Sequence, residues 1–306
     1  MGRFSAIVLG AAAGGGFPQW NCRCEVCQLA WSGDPRVKPR TQASLAVSAD
    51  NEHWALLNAS PDLRAQIAAN PDLHPHDNKR DGGKRSSPIS AVLLTGAEID
   101  QTAGLLNLRE RSPFTLHATA ATLAALADNP MFGALAANVV TRRAIVPGQR
   151  FALVAGLEAE LFLVPGKVPL YLEGDDPDTA SESAANVGIE ISHGSSRLVY
   201  VPGAAAVTPA IRQRLDRADV VMFDGTVLTD DEMIRTGTGT KTGRRMGHMP
   251  LDGPDGSLAA LAGLRARRIF VHINNTNPIL IEGSPERMRV AAADWEVAED
   301  GLKVTL

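Results

Sequence analysis

Short apolar, β-prone runs bounded by turn residues recur along this 306-residue chain, and their spacing restricts the fold more than any other feature. The early ones come close together. Phe4–Leu9 reads as a first strand, and Leu45–Val47 and Trp54–Leu57 read as a strand pair turning at Ala49–Glu52. The later ones, Ile89–Leu94, Thr115–His117, Ala159–Val164, Val187–Ser192, Leu198–Val201, Val220–Phe223 and Ile269–Val271, are interleaved with helical stretches. Helices are expected at Pro61–Ala69 behind Ser60 as N-cap, near Thr102–Arg109, at Ala120–Ala127 behind Thr119, at Thr208–Ala218 through Pro209, at Ser257–Leu264, and from Ser284-Pro285-Glu286 onward. Trp295–Val297 and Leu302–Thr305 read as a closing hairpin. Paired strands followed by strand–helix alternation suit two packed sheets with helices outside, a four-layer αββα sandwich of the α/β (α+β) class. No repeat and no linker breaks the pattern, so one domain over 1–306 is expected, with polar insertions at about 74–87 and 173–185.

Hydrophobic residues make up 44% of the chain, enough for a sizeable core, and the formal net charge of −4 gives no pull toward nucleic acid or an anionic membrane. No apolar run reaches the ~18–20 residues that span a bilayer, and the N-terminus carries no basic leader, so a cytoplasmic protein is expected. The three cysteines, Cys22, Cys24 and Cys27, fall within six residues. An odd number cannot close internally as disulfides, and this compact spacing suits thiolates that share one zinc ion. Three thiolates leave a fourth coordination position to be filled from elsewhere.

Several strands run into polar groups able to bind metal. Ile89–Leu94 leads to Glu98, Asp100 and Gln101, Val220–Phe223 to Asp224, and Ile269–Val271 to His272. Each has an ordinary structural use: Asp100 as a helix cap, Asp224 as support for the Gly225 turn, His272 as a satisfied core histidine. Ligands gathered from several strand ends on one edge are also how a sheet scaffold builds a rigid site. Thr236–Met249 is rich in glycine and threonine and carries Lys241, Arg244, Arg245 and His248. It is either a solvated loop or a cationic lid. His74-Pro75-His76 imitates a metal-binding pair, but its neighbours Lys79 and Arg80 place it in a polar surface insertion. Gly10–Gly16 imitates a phosphate loop without the Gly-Lys-Ser/Thr ending.

The Cys-x-Cys-x-x-Cys after a glycine-rich first loop, together with LLTGAEIDQTAGLL, VVMFDGTV, RRMGHMP and FVHINNTNPIL, resembles the pyrroloquinoline quinone (PQQ) biosynthesis protein B family of the metallo-β-lactamase superfamily. The resemblance runs from Phe4 to Leu306. It implies the metallo-β-lactamase fold, similar to carbon–phosphorus lyase phosphodiesterases and tRNA-processing RNases. The superfamily's first metal loop reads His-x-His-x-Asp-His, whereas the matching places here hold Gly96, Glu98, Asp100 and Gln101. Histidine is also missing near Pro165–Lys167, and aspartate near Gly203. A binuclear zinc hydrolase needs those ligands, so that activity is not expected.

What the resemblance leaves is half a site: Asp100, Gln101, Asp224 and His272 as ligands of one active-site metal, with Fe2+ as its implied identity. By the same comparison Asn275, three residues after His272, is a candidate fourth ligand for the cysteine zinc, with His248 as its competitor. His248, Arg244 and Arg245 are the candidate catalytic residues, and Glu98, Lys241 and Asn274 the candidate substrate contacts. The implied role is an iron-dependent oxygenase hydroxylating the tyrosine ring of a Glu-Tyr-derived precursor. A non-catalytic carrier that binds PQQ or its precursor and assists its transport or release is the alternative. Partners implied are that small molecule, other PQQ biosynthesis proteins and a second copy in a homodimer, with neither nucleic acid nor membrane.

Overall fold

The computed structural model describes residues 3–75, 84–174 and 178–306. His76, Lys79 and Arg80 lie outside the described residues. One mixed seven-stranded sheet is built from β1 (Ser5–Gly10), β2 (Ser44–Ser48), β3 (Trp54–Leu57), β4 (Ile89–Leu93), β5 (Phe114–Ala118) and β6 (Val140–Ala144), with β14 (Lys303–Thr305) beside β1 at one edge. The second contains β7 (Arg150–Val154), β8 (Leu157–Pro165), β9 (Glu182–His193), β10 (Ser196–Val201), β11 (Val220–Asp224), β12 (Arg267–Val271) and β13 (Trp295–Val297). Its order is β13-β12-β11-β10-β9-β8-β7. Helices α1 (Glu25–Trp31), α2 (Leu63–Ala69), α3 (Ile99–Thr102), α4 (Ala120–Ala127), α5 (Pro209–Leu215), α6 (Glu232–Arg235), α7 (Ser257–Ala260) and α8 (Pro285–Ala292) complete the order of elements.

The strand period of two sorts side chains into layers. Ala6 and Val8 of β1, Leu45 and Val47 of β2, and Leu57 of β3 face Leu161, Ile189, Leu198, Met222 and Ile269 across the space between the sheets. Their alternates Ile7, Leu9, Ala46 and Leu56 turn outward to Leu63 of α2 and to Leu105. In the second sheet Val199, Val201, Val221 and Phe223 turn outward to Ile211 and Leu215 of α5 and to Val290 of α8. The result is the expected four layers, helix, sheet, sheet, helix.

Several elements depart from the sequence expectation. Trp295–Val297 and Leu302–Thr305 do not form a hairpin: β13 pairs in parallel with β12, and β14 pairs antiparallel with β1 in the other sheet. Ser60 does not cap α2, which starts after Asp62, because its hydroxyl is taken by Gln66 Oε1 at 3.1 Å. The helix near Thr102–Arg109 is instead α3 followed by a 3₁₀ stretch over Ala103–Leu108. The second insertion is shorter than 173–185, since Glu182–Ala185 already belong to β9. Thr119, Thr208 and Ser284 do cap their helices, accepting from Thr122 N, Ile211 N and Arg287 N. Among the described residues no helix is long and apolar enough to cross a membrane.

Candidate metal and substrate site

The polar ends of β4, β11 and β12 meet at one edge of the sandwich. Asp224 closes β11 and is fully buried. Its Oδ2 accepts from Ala204 N at 2.9 Å and lies 2.7 Å from His248 Nδ1, and its Oδ1 accepts from Thr226 N at 3.0 Å and from the Thr226 hydroxyl at 2.6 Å. His272 follows β12 in the left-handed region, at φ 55°. That conformation costs a side chain of this shape on the order of 1–3 kcal/mol, and only a surrounding framework keeps it there. The framework is visible. His272 Nε2 lies 3.0 Å from Asp100 Oδ2, its Nδ1 lies 2.9 Å from Thr226 Oγ1, and its ring stacks on His248 with centroids 5.1 Å apart.

Asp224, His248 and His272 therefore present one carboxylate and two imidazoles, with ligand atoms within 4.8 Å of one another, and Asp100 stands against the second imidazole. Burial alone would push Asp100 and Asp224 up, but the facing imidazoles outweigh it and hold both carboxyls below the ordinary range. Burial opposes the charge on His272, yet the Asp100 hydrogen bond and the charges of Asp100, Asp224 and Glu98 together outweigh it and raise the imidazole above its ordinary value. Asp100 stands in the first turn of α3, to which the loop after β4 leads. That loop is fixed by Asn58, whose Oδ1 accepts from Thr95 N at 2.9 Å and whose Nδ2 donates to Thr95 Oγ1 at 2.9 Å.

Asp100, His248 and His272 line a cavity of about 470 Å³ that also takes in Gly14, Glu98, Lys167, Thr226, Lys241 and Asn274, with Asp224 buried behind His248. At its mouth Glu98 accepts from Lys167 Nζ at 2.8 Å and from Leu170 N at 3.2 Å. Glu173 there receives Lys167, Lys241 and Arg245. The remaining sequence candidates are placed differently. Gln101 lines the cavity but lies outside the Asp224–His248–His272 group. Its Oε1 accepts from Glu98 N at 3.2 Å, closing the N-terminal turn of α3. Arg244 turns away, with its guanidinium near Asp255 O and its main chain bound to Asp230. Asn274 lines the cavity and donates to Thr276 Oγ1 at 2.6 Å. Sequence reasoning missed Thr226, Lys167 and Glu173. Thr226, two residues after Asp224, was the most accessible of these. Sequence reasoning placed His248 as a catalytic residue or a rival ligand of the cysteine zinc and not beside Asp224, because nothing local shows that a loop histidine folds back over β11. A side chain at Gly203, the place of the missing aspartate, would come within 3.2 Å of the His248 ring, so His248 fills that space.

The cysteines form a second, separate cluster. Cys22, Cys24 and Cys27 are buried, and Asn275 Nδ2 lies 3.1 Å from Cys22 Sγ, 3.2 Å from Cys27 Sγ and 3.8 Å from Cys24 Sγ. Of the two candidate partners, Asn275 is the one beside the thiols. The Cys24 thiol, donating to Cys27, is held well above its ordinary value, and Cys27 is held below.

Comparison with known proteins places this geometry. A Beta-lactamase superfamily domain model matches residues 53–273. Coenzyme PQQ synthesis protein B of Methylorubrum extorquens (strain PA1) is 56% identical over 301 residues, covering 98% of this chain and 99% of the relative. The Ruegeria pomeroyi protein of the same name is 52% identical over 98% of the chain. This chain belongs to the PQQ synthesis protein B family. The crystal structure of zinc-bound PqqB from Methylobacterium extorquens superimposes with a TM-score of 0.95 at 55% identity, covering 99% of this chain and all of that one. A diphosphatase of the PhnP family, 21% identical with a TM-score of 0.67, shares the fold. The metallo-β-lactamase sandwich is thus the fold of this PQQ synthesis protein B homologue, and its departures from the superfamily's ligand pattern lie in this chain's own residues.

Proposed function

We propose that this PQQ synthesis protein B homologue is an iron-dependent oxygenase that hydroxylates the tyrosine ring of a Glu-Tyr-derived PQQ precursor in the cytoplasm. The observation that carries the proposal is the meeting of two imidazoles, which line a cavity large enough for a small molecule, with the buried Asp224 carboxylate directly behind them. The donor set fits a ferrous ion, because two histidines and one carboxylate are the side chains that non-haem ferrous sites use. Asp224, His248 and His272 would hold the ion, with Asp100 as a further oxygen donor. Gln101, whose oxygen is engaged by Glu98 N, stands outside that set. When bound, ferrous iron supplies the one-electron chemistry with O2 that side chains lack. The overall reaction puts one oxygen atom on the ring and reduces the other to water, drawing two electrons and two protons from an external reductant.

The chain's own residues would do the rest. Thr226 holds both imidazoles and the carboxylate in register, as outer partners of metal ligands commonly do. Lys167, Lys241 and Arg245 offer positive charge to a carboxylate-rich precursor. Cys22, Cys24 and Cys27 would hold a structural zinc, in keeping with the zinc-bound relative. Rotating the Asn275 amide by half a turn would present its carbonyl oxygen as the fourth donor.

The carrier reading has one observation in its favour. His272 and His248 are each already paired with a carboxylate, so the pocket is electrostatically complete without an ion. The two separate on oxygen. Anaerobic protein given one equivalent of Fe2+, then precursor, reductant and air, should take up O2 in step with precursor loss, and Asp100→Ala should lower that rate at least ~10-fold. Unchanged uptake in Asp100→Ala would overturn the assignment of the chemistry to this site, and no uptake in the wild type would favour the carrier.

A further inference from the structure

Three cations of this chain converge on one of its own carboxylates at the cavity mouth. Glu173 sits on the turn after Leu170–Leu172, with only 6% of its side chain exposed. Lys167 Nζ reaches its Oε1, while Lys241 Nζ and Arg245 Nη1 each lie 3.3 Å from its Oε2. The three come from two segments, the stretch after β8 and the Thr236–Met249 loop, and meet at this carboxylate. Lys167 and Lys241 line the cavity, and Lys167 also touches Glu98. Three positive groups thus face two carboxylates, which leaves the group one positive charge in excess. Burial opposes the charge on Lys167, but the two carboxylates outweigh it and hold the ammonium firmly protonated.

This is the arrangement expected of a carboxylate-recognition subsite filled by a carboxylate of the chain itself. A turn carrying exposed Leu170, Tyr171 and Leu172 is not packed into the core. It is fastened by Glu98 to Leu170 N, by the Tyr171 hydroxyl donating to Ala97 O at 2.8 Å, and by Glu173. Exchange of Glu173 for an incoming carboxylate keeps every cation paired, so the swap does not leave a buried charge uncompensated.

We propose that Lys167, Lys241 and Arg245 form a binding subsite for a carboxylate group of the ligand, and that Glu173 occupies it as an internal competitor until the ligand displaces it. The inference rests on the reading of the cavity as the PQQ-precursor site and adds its polarity: a carboxylate at Lys167, and the reacting ring toward His248 and His272.

The test is equilibrium binding of PQQ and, in parallel, of citrate, an unrelated tricarboxylate, to full-length protein that keeps its cysteine-bound zinc and carries no added iron, at low ionic strength. Glu173→Gln, which keeps the shape and removes the charge, should tighten binding about 5- to 10-fold, an effect that high salt abolishes. Lys167→Met should weaken it at least ~10-fold, and Lys167→Arg should restore most of the loss. The trimethyl ester of PQQ should be insensitive to Glu173→Gln. If Glu173→Gln leaves both affinities unchanged or weakens them, the subsite is overturned, whatever the oxygenase assay shows. If citrate responds and PQQ binds no variant, the subsite stands and the PQQ-precursor reading of the cavity falls. Because Glu173→Gln alone decides the matter, a Lys167 variant that fails to fold leaves the test intact.

Discussion

Thr226 is the residue on which the candidate site turns. Its single hydroxyl contacts Asp224 Oδ1, both imidazole Nδ1 atoms and His272 O, all within 3.1 Å. A metal bound by Asp224, His248 and His272 depends on their orientation, so Thr226→Val should lower Fe2+ or Co2+ affinity ~10- to 100-fold while Thr226→Ser retains it. Anaerobic Co2+ titration read by its visible spectrum measures this, and an unchanged affinity would remove Thr226 from the account. A second residue makes a prediction about pH. His117 of β5 is buried, stacks on Phe151 and has no partner for Nδ1 among the described residues. Burial, with a smaller push from Arg143, lowers it from 6.5 to about 4. The unfolded chain takes up that proton near 6.5 and the folded chain refuses it until about 4. Stability should therefore fall as pH drops through that window, by up to about 3 kcal/mol. His117→Phe should flatten this part of a pH series of urea melts.

At the level of elements, the loop after β12 ties the two clusters together. His272 faces the cavity, Asn274 lines it, and Asn275 reaches the thiols, all within four residues. The glycine-rich loop that leads to the cysteines is fastened to the same segment, through Ala13 N donating to Ile273 O and Ile273 N donating to Ala11 O, each at 2.9 Å. Cys24→Ser should therefore cost one equivalent of bound zinc and several degrees of Tm, since structural zinc contributes directly to folding. It should also loosen metal binding at His272. Metal analysis with calorimetry checks the first two, and retained zinc would refute the clamp. Elements also show what the sequence could tell. Strands with apolar residues on both faces, such as β4, β10 and β11, were legible because both faces are covered. Strands β6 and β7 were not, because Thr141–Ala144 are exposed at a sheet edge and carry Arg142 and Arg143, which read as loop. Proximity in sequence made β13 and β14 look like a hairpin, when closing each sheet at its own edge sends them apart.

For the whole molecule, the sandwich accounts for why the site exists at all. Parallel strands β10, β11 and β12 end on the same edge, so Asp224 and His272 are neighbours although 48 positions apart in the chain. Asp100 arrives from the other sheet. Those three were legible because a strand end is marked by its own sequence. The partner that completes two histidines and one carboxylate, His248, comes from a loop whose path depends on packing over Gly203, and periodicity carries no trace of that. The proposed oxygenase requires this assembled set to support oxygen insertion into the precursor ring. It is tested most directly by a single turnover of Fe2+-loaded protein with precursor and a two-electron reductant under 18O2, read by mass spectrometry of the peptide. One 18O atom should appear on the tyrosine ring, and none with His248→Ala. A peptide recovered unchanged, or an added oxygen without the label, would contradict it.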